Sequence, residues 1–430
     1  MSITRGTLSR RTYLRAVGAA GTVGLTGLAG CAGTDSEGER DTANDERFEI
    51  AHEWTDEEAQ ALEALVDGFE AEYGEVEIAL DRVSEPSADT AHSEIRDRVI
   101  DGDPPGTFQS RPGEGLRPYL DEGAIAPIND VWNTDMREGY LDGPMEAAAP
   151  DGDAVCVPIA VNRLNNLFYN VEIVEDADVD LDGVGTPEGF VDALESLYGD
   201  GVVGMAHGPE TPWSTLQLWE TVFVGQHGTS AFDGLVSGDA AEYEQEVHSA
   251  FEMVERYAEY GPEDADATGD NEAADRLVSG DAATLHQGDW VARRYDEEFE
   301  YGTDWDVVPF PGTEGIYTMV MSAFVLPSGS QSPETAREFL AHCGTADAQQ
   351  LITSHTGSIP PRTDVPDDEF GPFLRDQMTA FTHADFLTTT ITHGSAVDPR
   401  VVGELEAVVA EFDENLDPET ATDGVVAALE

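Results

Sequence analysis

Residues 48–80 read FEIAHEWTDEEAQALEALVDGFEAEYGEVEIAL. The stretch Phe48 to His52 has the length and apolar content of a buried strand. Leu62, Leu65, Val66, Phe69 and Tyr73 then recur at helical spacing and stop at Gly74. Val76 to Leu80 returns to a strand pattern, so the run predicts a β-α-β unit and an α/β lobe with a mostly parallel sheet.

Further along the chain the same grammar repeats. Thr186 with Pro187 opens a helix carrying Phe190, Leu194 and Leu197 and ending at Gly199, and Ser332 with Pro333 opens another through Phe339 and Leu340. Val155 to Val161 and Ala323 to Leu326 are short buried strands by pattern. At 430 residues the chain is about twice a usual domain, which predicts two lobes.

Towards the N-terminus the pattern changes. Arg10-Arg11 precedes a mild apolar stretch from Ala16 to Gly30, too short to span a bilayer, that ends in Leu28-Ala29-Gly30-Cys31. This is similar to a twin-arginine export signal joined to a lipobox, in which Cys31 is the lipidated first residue of the mature protein. Residues 31–47 then form an acidic, non-aromatic tether, and the fold starts at Phe48.

Composition excludes several functions. All 21 basic residues are Arg, against 88 acidic ones, for a net charge of −67. Without Lys there is neither a Walker phosphate lysine nor a Schiff base for pyridoxal chemistry, and a polyanionic surface repels nucleic acid. Self-repulsion on this scale is tolerable at molar salt, where the Debye length is roughly 3 Å, so a halophilic protein is expected. Beyond Cys31 only Cys156 and Cys343 remain; one disulfide between them is possible, but their apolar neighbours favour two free buried thiols.

Catalytic patterns are scarce: no nucleophile elbow, zinc helix, paired-cysteine or dinucleotide turn occurs after the signal. Asp178, Asp180, Asp182 and Gly183 imitate the start of a calcium loop, but the position that needs a bidentate Glu is Gly189, and an acidic surface loop explains them; no metal or cofactor is expected. Two glycosidase carboxylates are defined by spatial separation, so they stay open as an alternative. More distinctive are Trp54, Trp213, Trp219 and Trp290, aromatic residues at element ends beside polar groups. Trp219 shares a helix face with Leu216, Val222 and Phe223 and reads as core, whereas Trp54 and Trp290 are placed for the carboxyl edge of a sheet, where sugars could stack on indole.

Five segments carry a family likeness: GDPPGTFQ (102–109), PIAVNRLNNLFY (158–169), QGDW (287–290), PFPGTEG (309–315) and GSIPPR (357–362). Together they resemble the extracellular solute-binding proteins of sugar ABC importers, and most of all the glucose/mannose-binding branch. The resemblance implies two α/β lobes joined by hinge crossovers, residues 48–157 plus about 303–330 in one and 158–302 plus 331–430 in the other. It implies a monomer that captures a sugar by hinge closure and delivers it to a membrane permease; a sensory partner or another polar solute is the alternative. On matching positions it implies ligand contacts from Trp54, Glu58, Gln109, Trp213, Asp289, Trp290 and His393, with Arg163 and Asn165 keeping a polar pattern. Asn162 and Arg111 stand where the family has His, Glu53 where it has a second Trp, Ser322 where it has Asp and Thr356 where it has Lys, departures that bear on which sugar fits. Glu58 also completes a Thr55-x-x-Glu58 capping box, which by itself accounts for its presence.

Overall fold

The computed structural model describes residues 47–430 other than 55, 75, 84–87, 200, 263–264, 266–267, 296–298 and 369. The export signal, Cys31, the tether before residue 47 and Thr55 of the capping box therefore lie outside the described residues.

Ten strands build two sheets: β1 (Phe48–His52), β2 (Ile78–Arg82), β3 (Thr107–Ser110), β4 (Cys156–Arg163), β5 (Asn166–Asn170), β6 (Val203–Ala206), β7 (Ala282–Gln287), β8 (Trp305–Pro309), β9 (Ile316–Val325) and β10 (Phe386–Thr389). The opening β-α-β unit is present, with a helix over Asp56–Tyr73, although the second strand begins at Ile78 rather than Val76. The strand expected at Ala323 to Leu326 is the end of the longer β9. Helix Pro187–Leu197 is capped by Thr186, whose hydroxyl accepts from the Gly189 amide.

The first sheet runs β10-β9-β3-β1-β2, with β4 on the other edge of β9, and the second runs β6-β7-β5-β8. The sheets are mixed rather than mostly parallel. β1 is parallel to β2 and β3, but β9 is antiparallel to β3 and β4, and β5 is antiparallel to β7 and β8. The cause is that the chain crosses between sheets and comes back. β4 leads through Leu164 and Asn165 into β5, and β8 returns through residues 310–315 into β9. The two crossings lie side by side, Arg163 opposite Met319 and Asn166 opposite Pro309.

β4 occupies one edge of β9 from Met319 to Val325, so β3 (against Ala323 to Val325) and β10 (against Ile316 to Met319) share the other edge. Between them Val320, Met321 and Ser322 have no strand beside them on that edge among the described residues.

Each sheet has its own core. Leu62, Leu65, Phe69, Phe108 and Phe324 pack with Phe339, Leu340 and Ile352, which places helices Pro333–Cys343 and Ala346–Thr356 on the first sheet. Trp219, Phe223, Phe251 and Phe412 form the second core, and the expected core role of Trp219 holds: it is fully buried and stacks on Phe251 at 5.1 Å. The sheets therefore divide the chain differently from the expected lobes: β8 pairs with β5 in the second sheet, β10 and the whole of β4 pair with β9 in the first, and residues 333–356 cover the first, because Phe339 and Leu340 complete its apolar face. Cys156 and Cys343 are free and buried in the first core, where burial pushes both thiols up.

Candidate functional site

Three loops meet where the sheets adjoin. Trp213 is set by the N-terminus of helix Pro212–His227, Trp290 by the 3-10 turn Asp289–Val291, and His393 by the loop between β10 and helix Pro399–Asn415. Their rings form a corner, all three half-buried. Trp213 lies 6.2 Å from Trp290 and 6.2 Å from His393, and Trp290 lies 5.9 Å from His393. Such tilted and edge-on geometry leaves ring faces available for the C–H surface of a ligand.

Gly288 makes the Trp290 pose possible. A Cβ on Gly288 would overlap the six-membered part of that indole, so the ring lies folded back over the glycine.

Polar groups reach the corner from the first sheet. Arg111, just beyond β3, donates from Nη1 to the His393 carbonyl at 3.1 Å and from Nη2 to Glu53 Oε1 at 3.4 Å. Gln109 accepts from the Glu53 amide with Oε1 at 3.1 Å, and its Nε2 donates to Ser322 Oγ at 3.4 Å, beside the strandless edge of β9. The loop after β3 approaches closely because Gly113 adopts φ +93°, and a Cβ there would sit 2.6 Å from the Ser395 carbonyl, which accepts from Glu114 N at 3.0 Å.

A second network, of buried side chains, joins the crossover. Asp289, fully buried, accepts from Asn162 Nδ2 at 2.7 Å with Oδ1 and from the Arg163 amide at 2.9 Å with Oδ2. Burial pushes its carboxyl up to about 7, against those donors and the Arg163 charge. Burial also lowers the Arg163 guanidinium, which lies over the Tyr317 ring at 5.0 Å and donates from Nε to Asn165 Oδ1 at 3.1 Å.

Asn165 spends its side chain on the crossover itself. Nδ2 donates to Thr313 Oγ1 (2.8 Å) and the Ile316 carbonyl (2.9 Å), while Oδ1 also accepts from Thr318 N (3.1 Å). It has no donor left for a ligand.

The structure therefore gathers Gln109, Arg111, Trp213, Trp290 and His393 around one corner and sets Asn162, Arg163, Asn165 and Asp289 into the crossover below. Trp54 and Glu58 stand at the carboxyl end of β1; Trp54 is buried edge-on to Phe324 at 6.4 Å, and Glu58 is half-buried in the first turn of its helix. Glu53, which sequence reading counted only as a departure, is the carboxylate partner of Arg111. Glu220 was missed altogether, although it is the lone acidic residue in Pro212–His227, a helix that is otherwise neutral apart from His227.

Comparison with known proteins gives the same fold. The bacterial solute receptor AcbH, which has an exclusive substrate preference for β-D-galactopyranose, superposes with a TM-score of 0.77 at 17% identity, over 89% of this chain and 97% of its own. A chitin oligosaccharide binding protein gives 0.76 at 20% identity, over 89% and 98%. In sequence the chain is 31% identical to the xylose/arabinose-binding protein XacG of Haloferax volcanii, over 90% of this chain and 85% of that one. It is 27% identical to an ABC transporter extracellular-binding protein of Pyrococcus horikoshii, over 89% and 87%. Residues 64–377 match the family model described as bacterial extracellular solute-binding protein. With its two sheets, each with its own core, and this match, the chain belongs to the bacterial extracellular solute-binding proteins, a family of binding proteins rather than enzymes.

Proposed function

We propose that this protein captures a sugar, a pyranose monosaccharide or a short oligosaccharide, between its lobes and passes it to the permease of an ABC importer. The observation that carries the reading is the corner of Trp213, Trp290 and His393, with Arg111 and Gln109 beside it. Aromatic faces suit the C–H side of a pyranose, and the polar side chains suit its hydroxyls. The names of the relatives, xylose/arabinose-binding and galactopyranose-preferring among them, support a sugar and widen it from glucose to pentoses.

Binding works by hinge closure. A ligand held by both lobes favours the closed arrangement, and the permease reads that population. Arg111 and Ser322, in place of the family's His and Asp, are the positions expected to choose among sugars.

The address is part of the proposal. Cys31 anchors the exported chain to the outer face of the membrane through its lipid, residues 32–47 act as tether, and the charge of −67 is matched to molar salt. The test is a thermal-shift screen of pentoses, hexoses and short oligosaccharides at molar salt, followed by calorimetry. A pyranose that raises the melting temperature, and loses that effect in a Trp213→Ala variant, is the expected result. If no sugar stabilises the protein, or sugars stabilise both forms equally, the reading fails.

A further inference from the structure

The loop that brings His393 to the corner has no regular secondary structure, yet it is held in place from below. Glu220, about two turns into helix Pro212–His227 and only 3% exposed, accepts from the amides of Ile391 at 2.7 Å and Thr392 at 3.3 Å with Oε2. Its other oxygen, Oε1, is buried with no hydrogen-bond partner, and so is the Thr392 hydroxyl. From the other side, Arg111 and Glu114 N bond the carbonyls of His393 and Ser395. The five residues 391–395 are thus clamped between a buried carboxyl in the second core and two donors from the loop after β3.

We infer that Glu220 is a positioning residue for ligand binding, fixing the His393 loop through its bonds to the Ile391 and Thr392 amides and releasing it when the carboxyl ionises. The inference rests on the corner being the ligand cleft.

The groups around Glu220 explain why ionisation opposes docking. Burial pushes its carboxyl up to about 8, and the donors that oppose it, the two amides among them, are neutral. No charge compensates it. Helices Pro187–Leu197, Thr229–Val236, Glu244–Ala258 and Pro399–Asn415 all pack on its helix, but their charged groups are engaged elsewhere or exert no pull on it. Glu188 accepts from Gln226, His248 pairs with Glu252, and Asp413 accepts from Thr215. His286, on β7 beneath, bonds Thr221 and is held neutral by burial at about 3. His393 faces the corner.

The sign follows by linkage. The docked loop keeps the carboxyl protonated to higher pH than water would, so docking is fully favoured below the ordinary 4.5 and weakens as pH rises from there to about 8. Protonation removes the uncompensated buried charge while Oε2 goes on accepting from the two amides.

The experiment measures amide protection of the peptide containing Ile391 and Thr392 by hydrogen exchange, without ligand and at molar salt, as protection factors across pH 4–9. Glu220→Ala should lower protection at least tenfold, while Glu220→Gln, which keeps an acceptor and cannot ionise, should retain it at every pH. The wild type should match Glu220→Gln at pH 4 and fall progressively below it by pH 8. In parallel, calorimetry with D-xylose and D-glucose should give the same ordering of affinities. Equal protection in wild type and Glu220→Ala at pH 4, a Glu220→Gln variant as unprotected as the Ala one, or identical pH profiles for wild type and Glu220→Gln would each overturn the assignment. Absence of heat with either sugar bears on the sugar reading, while the exchange profile still decides the role of Glu220.

Discussion

Gly288→Ala isolates the contribution of one indole. The backbone at Gly288, φ −69° and ψ 159°, is open to any residue, so the substitution adds no strain of its own. Its methyl group would instead occupy the place of the Trp290 ring, and the far end of that side chain has to move. Moving it forfeits two ring contacts, to Trp213 at 6.2 Å and to His393 at 5.9 Å. Aromatic pairs contribute about 0.5–1.5 kcal/mol each beyond area, so the ready-made wall loses about 1–3 kcal/mol. If that wall is where ligand stacks, affinity falls roughly five- to a hundredfold. Calorimetry with the sugar selected by the screen reads the affinity, and near-ultraviolet circular dichroism reads the indole. A variant whose dichroism changes but whose affinity stays at the wild-type level would remove Trp290 from the cleft. Unchanged dichroism would refute the steric argument itself.

Other perturbations probe the layers below. Asn165→Ala leaves Thr318 N, the Ile316 carbonyl and Arg163 Nε short of a buried partner and should cost about 3–5 kcal/mol of stability, read from the denaturant midpoint; a cost under ~1 kcal/mol would contradict its role as the tie between crossings. Asp289 is held at about 7 when folded against 3.8 ordinarily, so the folded state retains its proton where the unfolded chain has lost it, and stability falls as pH rises from about 4 to about 7. Asp289→Asn should lose that slope, and parallel profiles between pH 4 and 8 would reject the buried-carboxyl reading. Cys31→Ser should release the exported protein into the medium, and identical membrane fractionation of both forms would argue against the anchor.

What could be read in advance followed physical periodicity. The opening β-α-β unit was legible because Leu62, Leu65, Val66 and Phe69 repeat at 3.6 residues and Gly74 ends the run. Thr186-Pro187 and Ser332-Pro333 marked helix starts for an equally local reason. Pairing direction was not legible. β9 runs ten residues, yet only its last part stood out as a continuous apolar run, and nothing local says that it returns antiparallel to β3. The site divides in the same way. Trp213, Trp290 and His393 could be proposed from residue type and family likeness, but Asn165 has the same polar atoms whether it faces a ligand or ties down a backbone. Only the positions of Thr313, Ile316 and Thr318 separate the two.

The paired crossings have a mechanical consequence. β4 running into β5 and β8 running into β9 form one long ribbon of two antiparallel segments, spliced into both sheets. A ribbon of this kind resists sliding along its length, since every ladder bond would have to break in register, but it flexes readily where pairing is interrupted. The interruption falls where Leu164 and Asn165 face the six residues 310–315, and the Asn165 side chain is the stitch across it. Any bending along this ribbon is thereby concentrated at one place, where the Asn165 side chain and the main-chain bonds from Leu164 N to the Thr318 carbonyl and from Phe310 N to the Asn165 carbonyl are the ties to be deformed.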